Sequence, residues 1–443
     1  MPDAPSIDWD AITDEATQLI ADFIRIDTSN PPGRERAACE WLAAIFRREG
    51  IDDIAFYDAS DGSEHGAERM NMTATLPGDG SKAPLILLSH TDVVPVEREY
   101  WDFEPFSGAV ANGTIYGRGA LDMKSMGIME LMAMLIIKRH GLPHSRDIVY
   151  MALADEEAGG GRGIEWMEQH HPETLDAEYV INEGGWGNAE VLGVRKPSFN
   201  CSISEKGPLW LRLRAEGRPG HGSVPHPDNA LERLVRALQR ILDWTRPVTM
   251  APEQADYFER LHRNGFLADE PSQAVMERLA ADSLVMRALL TNTISTTSLH
   301  AGMKHNVIPG VAEATLDCRL IPGQDPGEFT EQVREVVADP KVSIETVFES
   351  STKVSLPGTE LFGVIEGAVR DHMEEAVVLP SVSAGFTDSR VFRRHGITAY
   401  GFMPILLEQE EAQTFHGHNE RITIENVRMG TQILFETVRR ICS

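Results

Sequence analysis

Apolar positions along this chain fall into two textures. In the first texture, helix-like and strand-like patterns alternate. Ala16, Leu19, Ile20, Phe23 and Ile24 recur at helical spacing and predict a helix over 14–26, closed by the turn-rich DTSNPPG. A second helix is predicted over 36–49, and a strand over 71–76. The runs 84–90, 147–154 and 178–182 are continuously apolar, as expected of strands covered on both faces, and 127–140 reads as a helix between them. This alternation predicts an α/β fold, a mixed and mainly parallel sheet flanked by helices.

The second texture begins near residue 198. Polar and apolar residues alternate over 198–216, 293–300 and 312–320, which predicts strands with one wet face. Helices are expected over 230–243 and 328–338, a strand over 342–349, and mostly polar helix over 252–290. After Leu356 the first pattern resumes, with a further strand at 399–402. The expected organisation is a first domain built from 1–197 and 355–443, interrupted by an α+β domain at 198–354.

Charge narrows the partners. Lys and Arg number 41 against 68 Asp and Glu, a net charge of −27, with no local basic patch. Phosphate backbones and anionic membranes would repel such a surface, so neither nucleic acid nor membrane is expected as a partner. Four widely spaced cysteines form no CxxC pair and suit a reducing compartment. The acidic start MPDAPSIDWDAITDEATQ has neither a basic segment nor an apolar core, so it does not read as a signal peptide. The expectation is a soluble cytoplasmic protein.

The chemistry gathers where predicted strands end, the usual place for functional groups in an open α/β sheet. Three apolar runs end in Ser89-His90-Thr91-Asp92, Asp155-Glu156-Glu157 and Asn182-Glu183-Gly184-Gly185. A glycine-rich loop carries Asp122 into a helix, and FHGHNER stands near the C-terminus. Histidine with several carboxylates suits zinc, cobalt or manganese. Acids this dense would repel one another unless a cation, or pairing with Arg118, Lys124 and Arg390, compensates them.

The motifs SHTDVVP, YGRGALDMK, ADEEAGG, INEGG, GHGSVPHPDNA, HNVIPG, GFTDSR and FHGHNER, in this order over nearly the whole chain, resemble the co-catalytic di-zinc amidohydrolase and peptidase family. That family includes aminoacylase, acetylornithine deacetylase, succinyl-diaminopimelate desuccinylase, glutamate carboxypeptidase and carnosine dipeptidase. The resemblance implies a catalytic domain interrupted by a lid or dimerisation domain, a homodimer, and two divalent ions, zinc first. It implies His90, Asp122, Glu157, Glu183 and His416 as metal ligands. Asp122 would bridge the ions and be followed by a cis peptide, and the position of Glu420 selects His416 over His418. Asp92 would orient His90. Glu156 would be the general base, moving a proton from a metal-bridging hydroxide precursor to the leaving amine. His221, rather than His226, would steady the oxyanion in a partner subunit, with Asn306 near it. Arg390 would hold a substrate carboxylate through its fixed fork of donors, while Arg319 is a weaker candidate for substrate contact.

Competing signatures fail. GRGALDMKS lacks the glycine before its lysine and places Asp122 where a phosphate would be repelled, AGGGRG lacks the GxGxxG spacing, and neither HExxH nor GxSxG occurs. The expected activity is hydrolysis of an amide bond in a small carboxylate-bearing peptide or N-acyl amino acid. The alternative is a metal-stabilised, non-catalytic protein that binds carboxylated ligands. The segment 252–290 is expected to shape an acyl pocket or a dimer contact.

Overall fold

The structure is a computed structural model that describes residues 7–62 and 68–443. Met1–Ser6, where the acidic N-terminal stretch begins, lie outside the described residues. An eight-stranded sheet forms the larger layer. Its order is Ile54–Asp58, Met70–Leu76, Ile148–Leu153, Leu85–His90, Tyr179–Asn188, Thr398–Leu407, Ser198–Glu205 and Val377–Ser383. Parallel pairing runs through its centre, where Leu85–His90 lies between Ile148–Leu153 and Tyr179–Asn188. Leu85–His90 is buried at every position, as its unbroken apolar run requires.

Helices cover this sheet. Lys124–Arg139 is buried from Lys124 to Ile137 and packs against Trp9–Ile24 and Ile424–Ile441. A helix this largely apolar on every face belongs inside a protein core. No helix among the described residues is long and apolar enough to cross a membrane. Cys39, Cys201, Cys318 and Cys442 are buried free thiols.

A second, antiparallel sheet has the order Thr293–Ala301, Val311–Leu320, Gly207–Glu216 and Val342–Glu349. Gly207–Glu216 alternates buried and exposed positions along its second half. Its Leu209, Leu211 and Leu213 pack with Leu234 of helix Ala230–Asp243 and with Phe329 and Val333 of helix Pro326–Val337.

Two expectations change, and the helical reading of 252–290 holds. Ser198–Glu205 is buried almost throughout and pairs inside the large sheet, so the chain leaves that sheet after Glu205 and not at 198. Tyr179–Asn188 runs on past Asn182 instead of ending there. The segment 252–290 folds as helices Ala255–Arg263, Gln273–Asp282 and Leu284–Leu290. Their apolar faces enclose Leu379 and pack on Val377. They therefore cover the edge strand Val377–Ser383, whose unpaired backbone would otherwise invite other strands.

Candidate metal and catalytic centre

The parallel order of the central strands brings their carboxyl ends together, and the side chains there converge. His90 is the last residue of Leu85–His90. Its Nε2 lies 3.0 Å from Asp122 Oδ1 and 3.7 Å from Glu183 Oε1. Across the same aspartate, His416 Nε2 lies 3.0 Å from Asp122 Oδ2 and 3.2 Å from Glu157 Oε1. The donor atoms of His90, Asp122 and Glu183 all fall within 4.8 Å of one another, as do those of Asp122, Glu157 and His416. Asp122 is common to both groups. Two imidazoles and three carboxylates in this arrangement are a donor set that fits two divalent ions.

Each residue arrives by a different local device. Glu183 sits where the pairing of Tyr179–Asn188 with Thr398–Leu407 shifts register, between Asn182 opposite Gly401 and Trp186 opposite Met403. Such bulges re-aim side chains beside active sites. The close approach needs Gly401, because a Cβ there would stand 2.3 Å from Glu183 O.

Asp122 lies on the loop after Thr114–Tyr116, and the Asp122–Met123 peptide is cis. The C-terminal motif fixes that loop. Arg421–Thr423 pairs with Thr114–Tyr116, which lays Glu420 against the loop. The Glu420 carboxylate accepts the backbone N–H groups of Gly119, Leu121 and Asp122 at 3.1, 2.7 and 3.0 Å, and it pairs with Arg118 at 2.6 Å. The same motif separates its two histidines. His418 turns to Glu97 at 3.1 Å and stacks on Tyr100, away from the cluster.

Asp92 ties the remaining pieces together. His90 Nδ1 makes a 2.9 Å hydrogen bond to Asp92 O and lies 3.6 Å from Asp92 Oδ1. The two carboxylate oxygens of Asp92 accept the backbone N–H groups of Glu156 and Glu157 at 3.1 and 3.2 Å. Glu156 is buried beside the donor cluster.

The charges respond to this crowding. Burial raises the carboxyl of Glu156, and repulsion from Glu183 adds to it. Burial and the charge of Asp122 raise Glu157 and Glu183 in the same way. Hydrogen bonds to Asp122 and then Glu157 push the His416 imidazole up to about 10. Burial opposes a charged His90, but its bonds to Asp122 and Asp92 overcome that and raise it well above its ordinary value. The cluster therefore favours positive charge at its centre, the electrostatic signature of a cation site.

Three expected residues lie apart from the cluster. Strands Gly220–His221 and Val307–Ile308 pair, and Gly222 N donates to Asn306 O at 2.8 Å. His221 and Asn306 are thus neighbours, although far apart in sequence. Both are exposed, and His221 Nδ1 accepts the Ser223 N–H at 3.1 Å. His226 has both ring nitrogens buried without a hydrogen-bond partner among the described residues.

Arg390 does not face open space. Its side chain is fully buried, donating to Thr387 O at 3.0 Å and Gly159 O at 2.8 Å and reaching Glu165 at 3.2 Å. The guanidinium here holds the loop that follows Glu156 and Glu157. Phe386 lies between Arg390 and Arg319, with guanidinium-to-ring distances of 5.0 and 4.9 Å.

Sequence reasoning missed Asp388. It is buried with its carboxyl pushed up to about 7, first by burial. His90 and Asp92 act on it electrostatically, and it acts in turn on Glu156 and Glu183. Its signal was present in GFTDSR, two residues before Arg390.

Comparison with known proteins finds relatives in sequence and in fold. Residues 86–440 match the model of peptidase family M20/M25/M40. Aminoacylase-1 of Sus scrofa is 31% identical over 435 residues, covering 94% of this chain and 93% of its own. An N-fatty-acyl-amino acid synthase/hydrolase of Mus musculus is 29% identical over 382 residues, covering 82% of this chain and 75% of its own. Among solved structures, an M20 family metallo-carboxypeptidase from Sulfolobus solfataricus superposes with a TM-score of 0.73 at 19% identity, covering 96% of this chain and 98% of its own. Human carnosine dipeptidase 1 gives a TM-score of 0.71 at 15% identity, covering 98% of this chain and 97% of its own. These two likenesses are of fold.

Proposed function

Because the chain belongs to peptidase family M20/M25/M40, a family of metallohydrolases, we propose that it hydrolyses the amide bond of N-acyl amino acids, with dipeptides as the second substrate class. One observation carries the reading. Two donor groups share Asp122, and Glu156 is held beside them through Asp92. His90, Asp122 and Glu183 would hold one divalent ion, and Asp122, Glu157 and His416 the other. Such ions, when bound, supply Lewis acidity and lower the pKa of a nearby water.

The chain's own residues do the rest. Glu156 takes a proton from the water that attacks the carbonyl carbon and delivers it to the amide nitrogen as the C–N bond breaks. A carboxylate whose affinity for protons is raised by burial suits that task near neutral pH. Asp92 keeps Glu156 and His90 in register. Arg390 steadies the Gly159 loop. His221 and Asn306, adjacent and exposed, are offered as oxyanion donors to a second copy of the chain. The choice of N-acyl amino acids over peptides follows the near full-length likeness to aminoacylase-1.

The test is a panel of N-acetyl amino acids, longer N-acyl amino acids and dipeptides, given to chelator-stripped enzyme restored with zinc, cobalt or manganese. Metal-restored cleavage of N-acyl amino acids is expected. Cleavage of dipeptides alone would replace the acylase with a peptidase. No cleavage with any metal, while metal still binds, would favour the binding protein.

A further inference from the structure

Behind the donor cluster, a buried chain of polar groups links four separate segments. Asn30 follows the first helix. Its Nδ2 donates to Asp92 Oδ2 at 2.8 Å and to Asp155 Oδ1 at 3.0 Å. Its Oδ1 accepts from Arg69 Nη2 at 2.8 Å. Arg69 Nη1 reaches Glu35 Oε1 at 2.6 Å and Asp155 Oδ1 at 3.2 Å. Relative exposure is 5% for Asn30, 0% for Glu35, 4% for Arg69, 0% for Asp92 and 7% for Asp155. One guanidinium and one amide thus serve three buried carboxylates.

An amide suits the position of Asn30. It can give two hydrogen bonds to two carboxylates while accepting one from an arginine. Aspartate there would add a fourth acid, and leucine would leave both carboxylates short of a donor.

This chain of groups ends on the backbone that carries the chemistry. Asp155 has φ 68°, in the left-handed region that side chains other than glycine seldom adopt. Such a residue persists where its surroundings over-determine it. Here Asn30, Arg69 and the Arg162 N–H, at 3.0 Å from Oδ2, do so. The next two residues are Glu156 and Glu157, whose N–H groups point at Asp92, the other carboxylate that Asn30 holds. Asn30 therefore joins the two acids that define the turn, and Arg69 holds Asn30.

We propose that Asn30 and Arg69 are positioning residues for the Glu156–Glu157 turn. They touch no reacting atom. They act through Asp155 and Asp92, and the proposal rests on Glu156 being the general base. It separates from a purely structural role, in which the same bonds contribute stability alone.

Two variants distinguish these roles. Asn30→Leu removes the shared donor. Arg69→Met with Glu35→Leu removes both members of the Glu35 pair, so that Glu35 is not left charged without its partner, while Asp155 keeps its bonds from Asn30 and the Arg162 N–H. Each is loaded with cobalt(II) and assayed for kcat and KM on N-acetyl-L-methionine, for thermal midpoint, and for cobalt(II) affinity by calorimetry. Loss of outer partners of a metal site typically costs about 10–100-fold in activity or affinity. The expected result is a kcat lower by that factor in both variants, KM within about twofold of the wild type, and a folded double variant.

A folded double variant with kcat within about twofold of the wild type overturns the proposal, whatever its thermal midpoint. Should the wild type cleave nothing in the panel, the proposed function fails separately, and cobalt(II) affinity decides the positioning. Affinity at least tenfold weaker in both variants supports it, and unchanged affinity overturns it.

Discussion

Glu130 offers a sharp test of the buried electrostatics. It lies on helix Lys124–Arg139, fully buried, and neither carboxylate oxygen has a hydrogen-bond partner among the described residues. Burial pushes its carboxyl well above the 4.5 of a solvated glutamate. As pH rises past that value, the unfolded chain loses this proton and the folded chain keeps it. The folded state then binds more protons, so stability falls by about 1.4 kcal/mol per pH unit until the buried carboxyl itself ionises. Glu130→Met keeps a similar volume and removes the titration. The advantage of the variant over the wild type should therefore grow by about 2 kcal/mol between about pH 5 and about pH 6.5. Unfolding entropy near roughly 2.1 cal/mol/K per residue turns this into a Tm gap that widens by roughly 2 °C for a chain of 443 residues. Scanning calorimetry at fixed ionic strength across that range reads it directly. A gap that is flat or narrows with rising pH would refute the reasoning, because it would mean that Glu130 is charged or partnered inside the fold.

Other outcomes follow from the same structure. Glu156→Gln should fold and bind metal like the wild type while kcat drops by roughly 10²–10⁴, and near-normal turnover would remove Glu156 as the base. Glu420→Ala strands Arg118 and frees three loop N–H groups, so it should cost about 3–5 kcal/mol and lower the bound-metal stoichiometry, as read by thermal melts and elemental analysis. Gly401→Ala drives a Cβ to 2.3 Å from Glu183 O. It should therefore weaken metal binding in calorimetry, and an unchanged isotherm would show that the bulge yields freely.

Much of the residue cluster was legible in the sequence because its acids and histidines stand at local boundaries. His90 and the Glu156–Glu157 pair close apolar runs, and those runs are strands in the fold. The second sheet was legible too, since alternation over Gly207–Glu216 marks a half-wet face. The strands Ile54–Asp58 and Val377–Ser383 and the helix Ile424–Ile441 were not anticipated. The first is only partly buried and the second is a short edge run, so neither gives a strong periodic signal.

What the sequence determined by itself is the set of chemical groups and the strands that carry them, because hydrophobic periodicity is a local property. What tertiary structure alone decided is which distant groups meet. Strand order set His90 against Asp122 and Glu183, and a register shift opposite Gly401 turned Glu183 inward. The pairing of Arg421 with Tyr116 brought Glu420 under the Asp122 loop, and the packing of the first turn placed Asn30 between Asp92 and Asp155. In the sequence, Asn30 is one polar residue in a turn and Arg69 one charge before a strand. Only burial together makes them partners, because a buried carboxylate must find its donor wherever the fold places one.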